Sequence, residues 1–248
     1  MINKELTAVL KELHLPTVRE SYQDLANDAI RETLSYEQFL LVLMERELEQ
    51  RRDNRVRRLL KESRLPLEKS LSAFDRKRLP EKMDRLVTVL LSGNFMDKCE
   101  NVLAFGNPGS GKTHLLCAIG QEMIYQHGRR VLFTPCSILV QNLLITKRDL
   151  KLSNYLRKLS KYDAIVIDDI GYVQQSREEM EVLFTLLADC YERTSIMITS
   201  NLPFSKWEMI FKDPMTTAAA IDRLVHHSVI LELNIPSYRL EKSMKNKA

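Results

Sequence analysis

The sequence predicts an α/β protein: a parallel sheet covered by helices on both faces, preceded by a small all-helical domain. Three observations predict it. Five short apolar runs alternate with helix-length stretches beyond residue 100. Three of only seven glycines fall within the eight residues 106–113. Residues 1–78 contain apolar positions at helical spacing and no strand-like run. Buried apolar runs that alternate with helices indicate parallel strands, because each crossover lays a helix on a sheet face.

The helical domain is expected over residues 1–78. Leu6, Val9, Leu10 and Leu13 recur at helical spacing until Pro16 interrupts. Ser35 followed by Gln38 has the form of a capping box. The helix it opens carries Phe39, Leu40, Leu43, Met44, Leu48, Val56, Leu59 and Leu60 roughly on one face. It runs to about Arg64, before Pro66. A basic link is expected at Asp75–Arg78, ahead of Pro80, with the second domain at 79–248. In that domain the strands are expected at Asn101–Phe105, Arg130–Thr134, Ala164–Asp168, Ser195–Thr199 and Ser228–Leu233.

Composition removes several classes. With 248 residues, 44% of them hydrophobic, the chain can bury a sizeable core. The apolar run Phe39–Met44 is far shorter than the roughly 20 residues of a membrane helix, and the opening segment has no signal-peptide core. Cys99, Cys117, Cys136 and Cys190 form no CxxC pair, so reduced buried thiols are expected rather than disulfides or zinc. A cytoplasmic protein without a membrane partner is the resulting expectation. The net charge is only +4, so a nucleic-acid surface must come from local clustering.

The glycine cluster is Gly106-Asn107-Pro108-Gly109-Ser110-Gly111-Lys112-Thr113, which fits G-x-x-x-x-G-K-[ST]. Backbone N–H groups can wrap a triphosphate only where side chains do not obstruct them. A helix opening near Lys112 turns its positive end to the phosphates. Lys112 would reach the β- and γ-phosphates, and the Thr113 hydroxyl would sit on Mg²⁺. His114 completes the candidate ATP-binding run from Gly106. Asp168 and Asp169 end the third apolar run, where a sheet of this class binds ligand. Asp168 would hold the magnesium, and Asp169 would polarise the attacking water. Asn201, after the fourth run, could orient that water. Arg223 could neutralise charge on the γ-phosphate, supplied from a neighbouring subunit.

Two windows concentrate positive charge, Arg51–Arg64 and Lys147–Lys161, each net +5. Lys147, Arg148 and Lys151 are the candidate contacts to a DNA backbone, with little sequence preference. Tyr155 and Tyr162 are expected to face the core. His114, His226, His227 and Trp207 are expected to pack, since none has a metal-ligand partner at suitable spacing along the chain.

These segments resemble the IstB family of transposition helper ATPases, within the initiator and helicase-loader group of AAA+ proteins. The resemblance rests on LKELHLPTVRESY, LSYEQFLLVLMERELEQR and LKESRLPLEKSLSAFD in the N-terminal part. In the second part it rests on GNPGSGKTHLLCAIG, AIVIDDIGY, ITSNLPFSKW and AAAIDRLVHHS. It implies a bacterial ATPase using ATP and Mg²⁺, a homo-oligomer on double-stranded DNA, and a partner transposase. It also implies a sheet order of 5-1-4-3-2, Asn201 as a sensor and Arg223 as an arginine finger. Few residues follow the fifth strand, so a full C-terminal lid is not expected, and Arg239 is the only candidate for a second sensor. The rival readings are a DnaC-like replicative helicase loader, which shares the core, and a small-molecule kinase, in which Asn201 and Arg223 have no natural place.

Overall fold

The structure is a computed structural model that describes residues 2–171, 176–211, 213–238 and 241. It divides into two compact units, 1–58 and 59–248. The boundary expected at 78/79 therefore falls twenty residues earlier, because residues 59–78 pack with the second unit. Leu59 and Leu65 are buried, and the Gln121 side-chain amide donates to the Pro66 and Lys69 carbonyls. The expected basic link is structured too. Asp75 caps a single 3-10 turn at Arg76–Arg78, and Arg76 pairs with Asp84 at 2.6 Å.

In the first unit, α1 (Ile2–Glu12), α2 (Pro16–Arg31) and the start of α3 (Tyr36–Ser63) enclose Leu10, Val18 and Leu43. The capping box forms as expected: Gln38 N–H donates to Ser35 Oγ, and Ser35 N–H to Gln38 Oε1. The buried face of α3 differs from the expected one. Leu40 and Leu48 are exposed, whereas the carboxylate of Glu47 is buried. Helix α2 has no N-capping side chain of its own. Glu47 Oε2 supplies the cap, accepting from Thr17 N–H and Val18 N–H, while Oε1 accepts from Arg51. Burial alone would raise the Glu47 pKa. The guanidinium and the two N–H groups outweigh it and hold the carboxyl below the ordinary range.

The second unit holds α4 (Glu81–Leu91), α5 (Asn94–Asp97), β1 (Asn101–Gly106), α6 (Lys112–His127), β2 (Val131–Pro135), α7 (Cys136–Arg148) and α8 (Leu152–Leu159). After these come β3 (Ala164–Asp168), α9 (Arg177–Cys190), β4 (Ser195–Ser200), α10 (Glu208–Phe211), α11 (Pro214–Val225) and β5 (Ser228–Leu233). All five strands lie within one residue of their expected bounds. The sheet is parallel, in the order β2-β3-β4-β1-β5, which is the order the resemblance implied. β4 is buried along its whole length at the centre, whereas β5 alternates in burial as an edge strand does. The middle of helix α6 is enclosed: Leu115 through Ile119 are fully buried. Tyr155 and Tyr162 pack against the main core, and Trp207 is fully buried with its indole N–H donating to Leu202 O. Cys117 and Cys190 are buried free thiols whose pKa values burial pushes up to about 12. No described helix is long and apolar enough to cross a membrane.

One buried side chain ties the sheet's entry side together. Asn101 Oδ1 accepts from Ile196 N–H, and its amide donates to Leu224 O. The polar ends that remain, at the carboxyl edge of β1, β3 and β4, face the glycine loop.

Candidate nucleotide site

The loop between β1 and α6 takes a conformation only glycine adopts easily. Gly109 and Gly111 have φ of +80° and +96°. At Gly106 a Cβ would meet the Leu233 carbonyl oxygen at 2.3 Å, so any side chain there would force β5 away. Helix α6 then opens at Lys112 with no side-chain cap, which leaves its first N–H groups turned to the loop. Ser110 Oγ is buried in this loop without a hydrogen-bond partner. A helix N-terminus without a side-chain cap and an orphaned buried hydroxyl are what a bound phosphate chain would satisfy.

Lys112 is buried and anchored here, donating from Nζ to Gly106 O (2.8 Å), Asn107 O (2.9 Å) and Asn201 Oδ1 (2.7 Å). The Thr113 hydroxyl donates to Asp168 Oδ1 at 2.7 Å. Asn201 donates from Nδ2 to Asp169 Oδ1 at 3.0 Å. Five residues from three segments, Lys112, Thr113, Asp168, Asp169 and Asn201, are thus brought into one hydrogen-bonded cluster, its two halves joined through Thr199. Thr113 and Asp168 present hydroxyl and carboxylate oxygens side by side. That hard-oxygen pair fits Mg²⁺ held together with a nucleotide's phosphates.

Asp169 has φ of +63°, an uncommon conformation for a residue with a side chain. Its backbone N–H donates to Thr199 Oγ1 at 2.8 Å, which holds the turn. Burial raises the Asp169 pKa and the neighbouring Asp168 carboxylate raises it further, against the opposing charge of Lys112. A carboxylate made more basic in this way suits the task of drawing a proton from water.

Thr199 is the site residue that sequence reasoning passed over in favour of Asn201. Its hydroxyl donates to Asp168 Oδ1 at 2.7 Å while accepting the Asp169 N–H, so one group fixes both acids. The pairing of Ala104 with Thr199 puts it between the phosphate loop and the acidic strand. The signal that could have found it is the polar residue ending an otherwise apolar strand.

A cavity of about 580 Å³ opens beside the loop, within the range of small-molecule sites. Pro108, Gly109, Ser110, Gly111, Lys112, Thr113 and His114 line one part, with Asp169, Thr199 and Asn201 beyond. Residues before α4 complete it: Lys69, Phe74, Asp75 and Arg78. Sequence reading had left these in the helical domain. His114 stacks edge-on against Phe74 and bonds Ser70 O, so it packs as expected and also lines the cavity. Arg78 lies over the Tyr238 ring and pairs with Glu241, and Tyr238 N–H donates to Gly109 O. Arg239 lies outside the described residues.

The remaining expected residues stand apart from this cavity. Arg223 is half-buried on α11, with its guanidinium over the Phe184 ring and Nη1 donating to Ala219 O. It does not line the cavity of its own chain. Lys147 and Arg148, in the last turn of α7, pair with Glu181 (3.0 Å) and Glu178 (3.8 Å) of α9. Lys151 lies instead in an open groove of about 430 Å³ with Arg157, Lys158 and Lys161 of the α8 region.

The chain is similar to proteins named for ATP binding. Residues 8–246 match the family model described as IstB-like ATP binding protein. A Sinorhizobium fredii protein named for insertion-sequence ATP binding is 42% identical over 243 residues, which is 98% of this chain and 81% of that protein. A Pseudomonas aeruginosa protein named for the same role in insertion sequence IS21 is 36% identical, over 97% of this chain and 91% of its own. The crystal structure of the DnaC helicase loader is similar in fold, with a TM-score of 0.54 at 19% identity, over 68% of this chain and 98% of that one. The chain belongs to the IstB-like ATP-binding family, and it shares the fold of the helicase loader.

Proposed function

We propose that this member of the family is an ATP-dependent DNA-binding helper of transposition. With Mg-ATP it oligomerises on target DNA, and in that state it recruits or stimulates a partner transposase. The observation that carries the nucleotide half is the joint grip of Thr113 and Thr199 on Asp168, beside a glycine loop that holds the orphaned Ser110 hydroxyl and opens an uncapped helix. The relatives' names supply the insertion-sequence context.

In this reading the loop from Gly106 to Thr113 holds the phosphates and Lys112 turns from the Gly106 and Asn107 carbonyls to the β- and γ-phosphates. Magnesium, held by Thr113 and Asp168, would offset the phosphate charge. Asp169 takes a proton from the attacking water, which Asn201 orients through the bond the two already share. The water attacks the γ-phosphorus, the bond to the β,γ-bridging oxygen breaks, and ADP leaves with that oxygen. Arg223, outside its own chain's cavity, acts across a subunit interface, so hydrolysis requires assembly. Lys147, Arg148 and Lys151 contact the DNA backbone. A cytoplasmic location follows from the DNA substrate.

The decisive experiment is sizing of the protein with ATP, with ADP, and with and without duplex DNA. Growth of the assembly only with ATP and DNA together supports the reading; a monomer under all conditions ends it. The DnaC-like fold keeps a helicase loader as the second reading. Pull-down separates the two: retention of a DnaB-type helicase but not of a transposase would favour the loader.

A further inference from the structure

The sequence offers His226 and His227 no ligand partner, and the structure does not pack them in a core. Both are exposed, and the fold brings Glu192 to them from the turn after α9. One ligand atom from each of the three lies within 4.8 Å of the other two. The two imidazoles meet edge to face, with centroids 4.1 Å apart. We infer that Glu192, His226 and His227 form a binding site for a divalent transition metal of the zinc class, separate from the magnesium-nucleotide site.

Backbone hydrogen bonds anchor the two histidines. His226 N–H donates to Asp222 O, and His227 O accepts from Asn101 N–H at the start of β1. Glu192 sits at φ of +55°, in a tight turn two residues beyond the end of α9. The Tyr191 hydroxyl lies 3.2 Å from His226 Nδ1. As the acceptor of an Nδ1–H bond it would fix the tautomer that leaves the Nε2 lone pair for a metal, the usual arrangement around a ligating histidine. Two imidazole nitrogens with one carboxylate select zinc, cobalt or nickel over magnesium, which prefers an all-oxygen octahedron. Three protein ligands leave a fourth position for water or for a group from another molecule. None of the three lines the nucleotide cavity. Helix α11, which ends at the C-cap His226, carries Arg223 three residues earlier, so a metal here would fix the helix end next to the proposed finger.

The test is calorimetric titration of the chelator-treated full chain with Zn²⁺ in excess Mg²⁺, with Co²⁺ absorption as a second readout. One Zn²⁺ per chain is expected, and a visible Co²⁺ spectrum of low coordination number. Glu192→Gln should weaken binding by at least about tenfold, and His226→Ala with His227→Ala should remove it. Tyr191→Phe, altering a positioning residue, should weaken binding by about tenfold and shift the Co²⁺ bands. Nucleotide binding, measured alongside, should stay intact in all of these, so the result is independent of the proposed function. No Zn²⁺ binding by the parent chain would overturn the inference. So would equal binding by the double histidine variant, which would place the ion on the thiols.

Discussion

The phosphate loop and the basic α7–α8 face were both read from local sequence, yet the structure treats them differently. At the loop, each polar group is directed at its neighbours in the site: Lys112 to Asn201, Thr113 to Asp168, Asn201 to Asp169. On the basic face, charges adjacent in sequence divide. Lys147 and Arg148 are engaged by Glu181 and Glu178 of another helix, whereas Lys151 joins Arg157, Lys158 and Lys161 along a groove. A glycine pattern constrains the backbone and so fixes geometry from within. A charge run constrains nothing about which partner each side chain finds, because exposed ion pairs cost and return little.

Breaking the loop gives the largest expected effect. Lys112→Ala should abolish ATP binding, measured by fluorescent-nucleotide titration, and with it ATP-dependent assembly on DNA. Equal assembly by this variant would sever the proposed coupling. Asp169→Asn should keep nucleotide binding while turnover falls by about a hundredfold or more, trapping the assembled state. It also carries a sign test. The folded Asp169 pKa is raised, so the folded chain holds its proton to higher pH than the unfolded chain. The group therefore stabilises less as pH rises through that window, and the asparagine variant should gain in melting temperature relative to the parent from acid towards neutral pH.

Thr199→Val keeps the shape but strands the Asp169 N–H, and should cost about 1–3 kcal/mol in denaturant unfolding along with most of the turnover. A smaller effect separates the two halves of the basic face. Lys151→Ala with Lys158→Ala should lower the salt-dependence slope of DNA binding by about two, whereas Lys147→Ala with Arg148→Ala should lower it by less, since both side chains are already paired. Equal slopes would show that the ion pairs to α9 open freely on DNA. The smallest effect lies in the first unit. The Glu47 pKa is depressed, so its stabilisation is present above the ordinary carboxylate range and lost as pH falls through the folded value. Glu47→Gln should flatten that acid limb in a melting series.

Much of the fold was legible locally. The five apolar runs became the five strands, Ser35 and Gln38 became a capping box, and the glycine loop lies where its pattern placed it, between β1 and α6. Nearest-neighbour chemistry decides these: strand burial, N–H satisfaction and positive φ depend on residues a few positions apart. Thr199, Glu47, Asn101 and the cavity wall from Lys69 to Arg78 were not legible, because each acts on atoms far along the chain. Glu47 meets the α2 N–H groups and Asn101 meets β4 and α11.

By itself, then, the sequence determined which segments are strands and helices, and which loop can approach phosphate. Only the tertiary structure decided that one threonine hydroxyl grips both acids, that residues 59–78 belong with the site, and that Glu192 stands beside two histidines. The reason is physical. Backbone conformation is set by local sterics and hydrogen bonding, whereas the partner of a polar side chain is set by whichever distant group packing brings within about 3 Å.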